Sequence, residues 1–340
     1  MKINKFFGLT AAVATAALIA TAANATTLED VQHLGFVNCG VSEGLLGFSK
    51  ADTNGKWMGL DVDVCRAIAA AVLGSAEKVK FTPLTDKERF TALQSGEVDV
   101  LVRNTTWTLL RDTALGLNFA GVNYYDGQGF MVRKDLGLKS AKELSGAAVC
   151  VTSATTTERN LADFFRVNAK EYRPVAFESS ATAVAAYDAG KCDAYTSDRS
   201  ALAAWRLTLK EPDAHIILPD VISKEPLGPV VRHGDDQWLD LVRWTLYAML
   251  EAEESGVDSK NVDQMKESKS PVVRRLLGVE GNMGKNLGVD NGWAYRIIKQ
   301  VGNYAESYER NVGPNSPLRL PRGVNKLWKD GGLHYPMPFR

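Results

Sequence analysis

The sequence predicts an α/β protein of two lobes, each a mostly parallel sheet flanked by helices. Three observations carry that prediction. Strand and helix signals alternate in both halves of the chain, a short motif of the first half recurs in the second, and 340 residues exceed one typical domain.

The apolar run Leu34 to Val37, ending at Asn38-Cys39-Gly40, reads as a first strand. Asp61 opens a helix that carries Val62, Ile68, Ala69, Val72 and Leu73 and stops at Gly74. Val79 to Phe81 is a strand, Lys87 to Gln94 a helix closed by Gly96, and Val98 to Val102 the next strand. This βαβα order calls for parallel pairing with helices on the sheet faces. The second half repeats it. Ala148 to Val151 is a strand, Thr157 to Val167 an amphipathic helix, Ala181 to Ala189 a helix ended by Gly190, and Asp193 to Thr196 a strand. The stretch Ala92-Leu93-Gln94-Ser95-Gly96-Glu97-Val98-Asp99-Val100 matches Ala186-Tyr187-Asp188-Ala189-Gly190-Lys191-Cys192-Asp193-Ala194 in its pattern: helix end, Gly, two residues, then Asp opening a strand. Past these strands lie Asn104 and Asp198. Ligands of open parallel sheets sit beyond the carboxyl ends of the strands, so the two positions are expected to face one cleft.

The N-terminus reads as a cleaved secretory signal over residues 1–25: Lys2 and Lys5, an apolar run from Phe6 to Ala22, and an Ala23-Asn24-Ala25 cleavage site. The mature chain then begins at Thr26 and is exported. Losing Lys2 and Lys5 leaves 38 basic against 40 acidic residues, which offers no basic surface for nucleic acid. Four cysteines in an exported chain point to two disulfides. Of three possible pairings, Cys39 with Cys65 and Cys150 with Cys192 keep each bond inside one predicted lobe. No Cys-x-x-Cys or His-x-x-x-His spacing marks a metal site, and no cofactor is expected.

The chemistry concentrates after the strands. Arg103-Asn104-Thr105-Thr106-Trp107-Thr108 leads to Arg111, which either grips a carboxylate bidentately or is a surface residue of a helix cap. Trp107 is expected in the core. In the second half, Thr155-Thr156-Thr157-Glu158 fits a capping box, and the helix start it caps is also an anion site. Asp198 either pairs with an ammonium group or caps a helix from Ser200 to Leu209. Arg111, the Thr155 helix start and Asp198 together offer complementary charges for a zwitterion, whose two charges are costly to bury unless paired. No Gly-x-Ser-x-Gly elbow, P-loop or Gly-x-Gly-x-x-Gly is present, so the sequence reads as a binding protein and not as an enzyme.

Several stretches are also recognisable as a set: Gly59-Leu60-Asp61-Val62-Asp63-Val64-Cys65-Arg66, Arg89 through Leu101, Arg103 through Thr108, Asp126 through Val132, Pro226 through Arg232, and Val301-Gly302-Asn303-Tyr304. Through them the mature chain resembles the periplasmic substrate-binding proteins of general L-amino-acid ABC transporters, in the polar amino-acid-binding family. The resemblance implies a type II periplasmic binding protein whose lobes close about a hinge. It implies a first lobe over 26–128, a second over 129–222, a return over 223–255, and a C-terminal helical extension over 256–340 that packs on the first lobe. The crossings are expected near Gly127 to Val132 and near Ile217 to Pro226.

By the same resemblance, Arg111 binds the ligand α-carboxylate with Thr106 and Asn104 beside it. Thr155 and Thr156 contact the ligand from the second lobe, and Asp198 accepts from the α-ammonium. Relatives commonly have Gly at the position of Asn104 and Pro at that of Leu46. The implied partners are free L-amino acids over a broad range and an inner-membrane ABC permease, with the protein a periplasmic monomer. Two other readings share the fold: a periplasmic dehydratase acting on a cyclic carboxylic acid, and a ligand sensor for a chemoreceptor. The segment from Gly292 to Arg310 is expected to be helical, with Trp293, Ile297, Val301, Tyr304 and Tyr308 on one face.

Overall fold

The computed structural model describes residues 26–340; the expected signal segment lies outside the described residues. Two five-stranded sheets form the framework. In the first, the order is 79–84, 37–42, 100–101, 230–232 and 117–119; in the second it is 173–177, 148–152, 194–198, 128–133 and 215–217. Each sheet has three parallel strands followed by antiparallel ones. The antiparallel fourth strand has one cause in both lobes. It is the strand that enters directly from the hinge, and it runs against the three built by βα units.

The recurring motif has a shared physical role. Gly96 and Gly190 take left-handed backbone (φ 80° and 76°) and turn the chain out of a helix. Asp99 then accepts from the Asn38 backbone N–H at 2.7 Å, and Asp193 accepts from that of Ala148 at 2.8 Å. In each lobe, one carboxylate thus holds the start of the neighbouring central strand. Each lobe also carries one disulfide, Cys39–Cys65 from the first strand to the helix Leu60–Leu73, and Cys150–Cys192 between adjacent strand regions.

The lobes are joined by two short crossings, Tyr124–Asp126 and Glu225–Leu227, which pair antiparallel as a two-stranded ribbon. The first crossing therefore falls before Gly127, because Gln128–Arg133 is already a strand of the second sheet. Residues after 256 pack on the first lobe. Arg296 donates to the carbonyls of Ala70 and Ala71, while Asp63 accepts from Ser307, Arg310 and Asn311 at 2.6, 2.5 and 2.7 Å.

Three local expectations need correction. Leu34 ends a helix, Thr27–Leu34, rather than starting a strand; Thr26 and Glu29 form its capping box and Gly35 its left-handed stop. The segment 292–310 is two helices, Trp293–Gln300 and Tyr304–Asn311. Gly302 (φ 100°) breaks it, and Asn303 caps the second helix in a box with Glu306. Trp107 is 38% exposed and stacks on Phe119 at 5.4 Å; it is outside the core because its backbone pairs with the hinge residue Pro226 at the protein surface.

Gly59 precedes the Leu60–Leu73 helix at φ 138°, and a Cβ there would lie 2.0 Å from the Phe48 carbonyl oxygen. Gly74, at the other end, has φ 77° and open space around it. Gly59→Ala is expected to destabilise by more than about 3 kcal/mol, and Gly74→Ala by about 1 kcal/mol. Denaturant unfolding of the two variants checks the ordering.

Candidate functional site

The ends of the parallel strands converge on a polar cleft that opens to solvent between the lobes. Asn104, Thr106, Thr155, Thr156 and Asp198 all line it. Arg111 adjoins this wall without lining it. It is 7% exposed, its Nη1 donates to the Thr106 carbonyl at 2.9 Å, and its guanidinium lies 5.1 Å from the Phe90 ring centroid. Burial pulls its pKa down to about 10, against the charges of Glu225 and Asp198. It is not a surface residue.

Asn104 sits at φ 33°, a left-handed conformation that Asn tolerates and glycine adopts freely. Its N–H donates to Asp61 at 2.8 Å, and Asp61 also accepts from Asn123 at 2.9 Å. Burial pushes the Asp61 carboxyl up to about 6. The Asn104 side-chain oxygen is buried without a partner.

Thr155 caps the helix Thr156–Val167, its hydroxyl accepting from the Glu158 N–H. The reciprocal half of the expected box is shifted by one residue, since Glu158 accepts from Ala154 at 3.0 Å and not from Thr155. The cause is the left-handed turn at Ala154 (φ 60°), which brings its N–H round to the helix start.

Asp198 precedes the helix Arg199–Arg206 but makes no side-chain cap bond to it. That role falls to Asp126 on the first crossing, which accepts from the N–H and hydroxyl of Ser200. Asp198 is thereby released. Its Oδ1 is buried with no hydrogen-bond partner, and burial, with the nearby carboxyls of Asp126 and Glu225, pushes its pKa well up.

Asp86, Arg89 and Arg103, which line the cleft, and Glu225, which bonds the lining residues Thr106 and Thr156, carry no role in the sequence reading. Arg103 clamps Asp86 bidentately at 3.0 and 3.1 Å and donates from Nε to the Leu84 carbonyl. Arg89 adds a second guanidinium 3.5 Å from Asp86, and its Nε has no partner. Glu225, at the start of the second crossing, accepts from Thr106 at 2.6 Å and from Thr156 at 2.9 Å. Arg103 and Glu225 depend on contacts with residues far along the chain, so no local pattern marks them, whereas Arg89 and Asp86 pair at i,i+3. Leu45 lines the cleft, whereas Leu46 does not; it packs against the first-lobe core.

Two lobes on a two-stranded hinge, with a polar cleft at the strand ends, define a solute-binding protein of the cleft-closing type. Residues 37–256 match the family described as bacterial extracellular solute-binding proteins, family 3, and the chain belongs to that family. It is 59% identical over 339 residues to the general L-amino acid-binding periplasmic protein of Rhizobium johnstonii, covering 99% of each chain. It is 55% identical to the glutamate/glutamine/aspartate/asparagine-binding protein of Rhodobacter capsulatus, covering 100% of each. A solved periplasmic binding protein from Brucella ovis, with glutathione bound, superposes with a TM-score of 0.92. It is 57% identical, and the match covers 93% of this chain and 100% of that one.

Asp86 supports the positive wall, and burial alone would raise its pKa; the Arg103 and Arg89 guanidiniums outweigh burial and hold it at about 2. A carboxyl held below its unfolded value stabilises the fold above about pH 4, and that contribution is lost as pH falls toward 2. Between pH 4 and pH 2 the wild type is expected to lose about 2 kcal/mol more stability than Asp86→Asn. Urea unfolding at the two pH values measures the difference.

Proposed function

We propose that this protein captures free L-amino acids in the periplasm and delivers them to an ABC permease by closing its cleft. The observation that carries the proposal is a pair of opposite buried charges on the two lobes, Asp198 lining the cleft with an unpartnered oxygen and Arg111 adjoining its wall. The first lobe supplies Arg111, a buried guanidinium. The second supplies Asp198, a buried carboxylate whose Oδ1 lacks any donor. An α-amino acid satisfies both groups at once, and neither group can be ionised cheaply inside without such a partner.

In this reading Arg111 takes the α-carboxylate and Asp198 the α-ammonium, with Asn104, Thr106, Thr155 and Thr156 completing the contacts. The helix start at Thr156 adds backbone N–H groups to the carboxylate side. The lobes are taken as 26–128 and 129–222, with 223–255 returning to the first and 256–340 packed on it. Secretion through a cleaved signal over 1–25 and a monomeric state complete the reading.

Broad specificity is supported by the names of the relatives matched at 55–59% identity, one general and one covering two acids and their amides. Arg89 and Arg103 outnumber Asp86 along the far wall, which favours polar or acidic side chains. The glutathione bound to the Brucella ovis protein favours a second ligand class, γ-glutamyl peptides, which present the same free α-ammonium and α-carboxylate. The dehydratase reading is not favoured, because these near-full-length relatives are named for binding.

Calorimetry of ligand-stripped protein against the twenty amino acids and glutathione tests the proposal. Binding by several L-amino acids is expected, and silence across the panel contradicts it. Arg111→Ala is expected to weaken every ligand by about 100-fold, because the α-carboxylate is common to all. Unchanged affinity in that variant removes Arg111 from the site.

A further inference from the structure

Glu225 is 1% exposed and lies where the second hinge strand begins. Its Oε2 accepts from the Thr106 hydroxyl of the first lobe at 2.6 Å and from the Thr156 hydroxyl of the second at 2.9 Å. Its Oε1 accepts from Asn160 at 2.7 Å and from Ser223 at 2.6 Å. With four donors the carboxylate is satisfied, so it has no need of a ligand. Its effect falls on the groups that donate to it.

A threonine hydroxyl carries one proton. Thr106 and Thr156 both spend theirs on Glu225, and their oxygens lie 3.4 Å apart around it. Toward the cleft they have only lone pairs left. A ligand carboxylate, itself an acceptor, gains nothing from such oxygens, whereas an ammonium group, a pure donor, does. Asp198 lines the same cavity with an unpartnered carboxylate oxygen. We infer that Glu225 is a positioning residue for the ligand's ammonium group: by taking the hydroxyl protons of Thr106 and Thr156, it makes both threonines acceptors and joins them to Asp198 as one ammonium-binding set.

The inference rests on the amino-acid reading above and refines it. Thr106 moves from the carboxylate side of the ligand, where the resemblance put it, to the ammonium side. The set also draws on both lobes. Thr106 and Thr156 reach the same oxygen from opposite sides of the cleft, so the acceptors are assembled only when the lobes are together.

The test is a mutant cycle read by calorimetry with L-glutamate as the probe. Glu225→Leu keeps the approximate size of the side chain but accepts no hydrogen bond, so both threonine hydroxyls become free to turn their protons toward the cleft. It is expected to weaken L-glutamate about tenfold or more. In a Thr106→Val/Thr156→Val background the same change is expected to alter the dissociation constant less than about twofold, because the groups it acts through are gone. A purely structural role would multiply through the valine background undiminished; that result overturns the inference, as does wild-type affinity in Glu225→Leu. Should Glu225→Leu fail to fold, the single Thr106→Val and Thr156→Val variants carry the test, and undiminished L-glutamate binding by both overturns it. Failure of the amino-acid reading shows separately, as absence of binding by the wild type to every amino acid of the panel.

Discussion

The cleft depends on a ribbon of two short strands. Tyr124–Asp126 and Glu225–Leu227 are the crossings between the sheets, and residues at or beside their ends reach the cleft from both sides. Asp126 caps the helix that follows Asp198, and Glu225 gathers Thr106 and Thr156. Thr106 itself bridges to Leu227, and Trp107 donates to the Pro226 carbonyl. The hinge is therefore part of the site. Any rotation about it changes the spacing between Arg111 in one lobe and Asp198 in the other. A ligand that contacts both shifts the population toward the closed form by its differential affinity for that form.

The electrostatics of the cleft follow from burial. Asp61, Asp126 and Asp198 are all pushed upward by desolvation, while Asp86, clamped by two guanidiniums, is held down. Acidic groups near one another thus differ in character according to their partners. Those with donors serve as struts: Asp61 fixes Asn104, and Asp86 fixes Arg103. Asp198 has an oxygen with no donor, which in the proposed function meets the ligand's ammonium group. Closure would exclude water and strengthen whatever charge pair then forms.

Much of this was legible in the sequence for physical reasons that can be named. Helix stops at Gly74, Gly96 and Gly190 are left-handed turns that glycine favours, so they mark the chain locally. The repeated Gly-x-x-Asp marks the Asp99 and Asp193 strand anchors. The break at Gly302 had its own local signal, Asn303-x-x-Glu306, which outranks the helical spacing of Trp293 through Tyr308. The choice between capping and ligand roles for Asp198 was not legible, because the competing cap, Asp126, lies 72 residues earlier. Glu225 was invisible for the same reason: its partners Thr106, Thr156 and Asn160 come from two other elements. Pairing across long sequence distances leaves no periodicity to read.

The central claim is that one amino acid bridges Arg111 and Asp198 across the closed cleft. A crystal structure of the protein with L-glutamate bound tests it most directly. The account predicts the α-carboxylate within hydrogen-bonding distance of the Arg111 guanidinium and the ammonium on Asp198 Oδ1. A ligand bound in the reverse sense, or an Asp198 Oδ1 still without a partner in the complex, would contradict it.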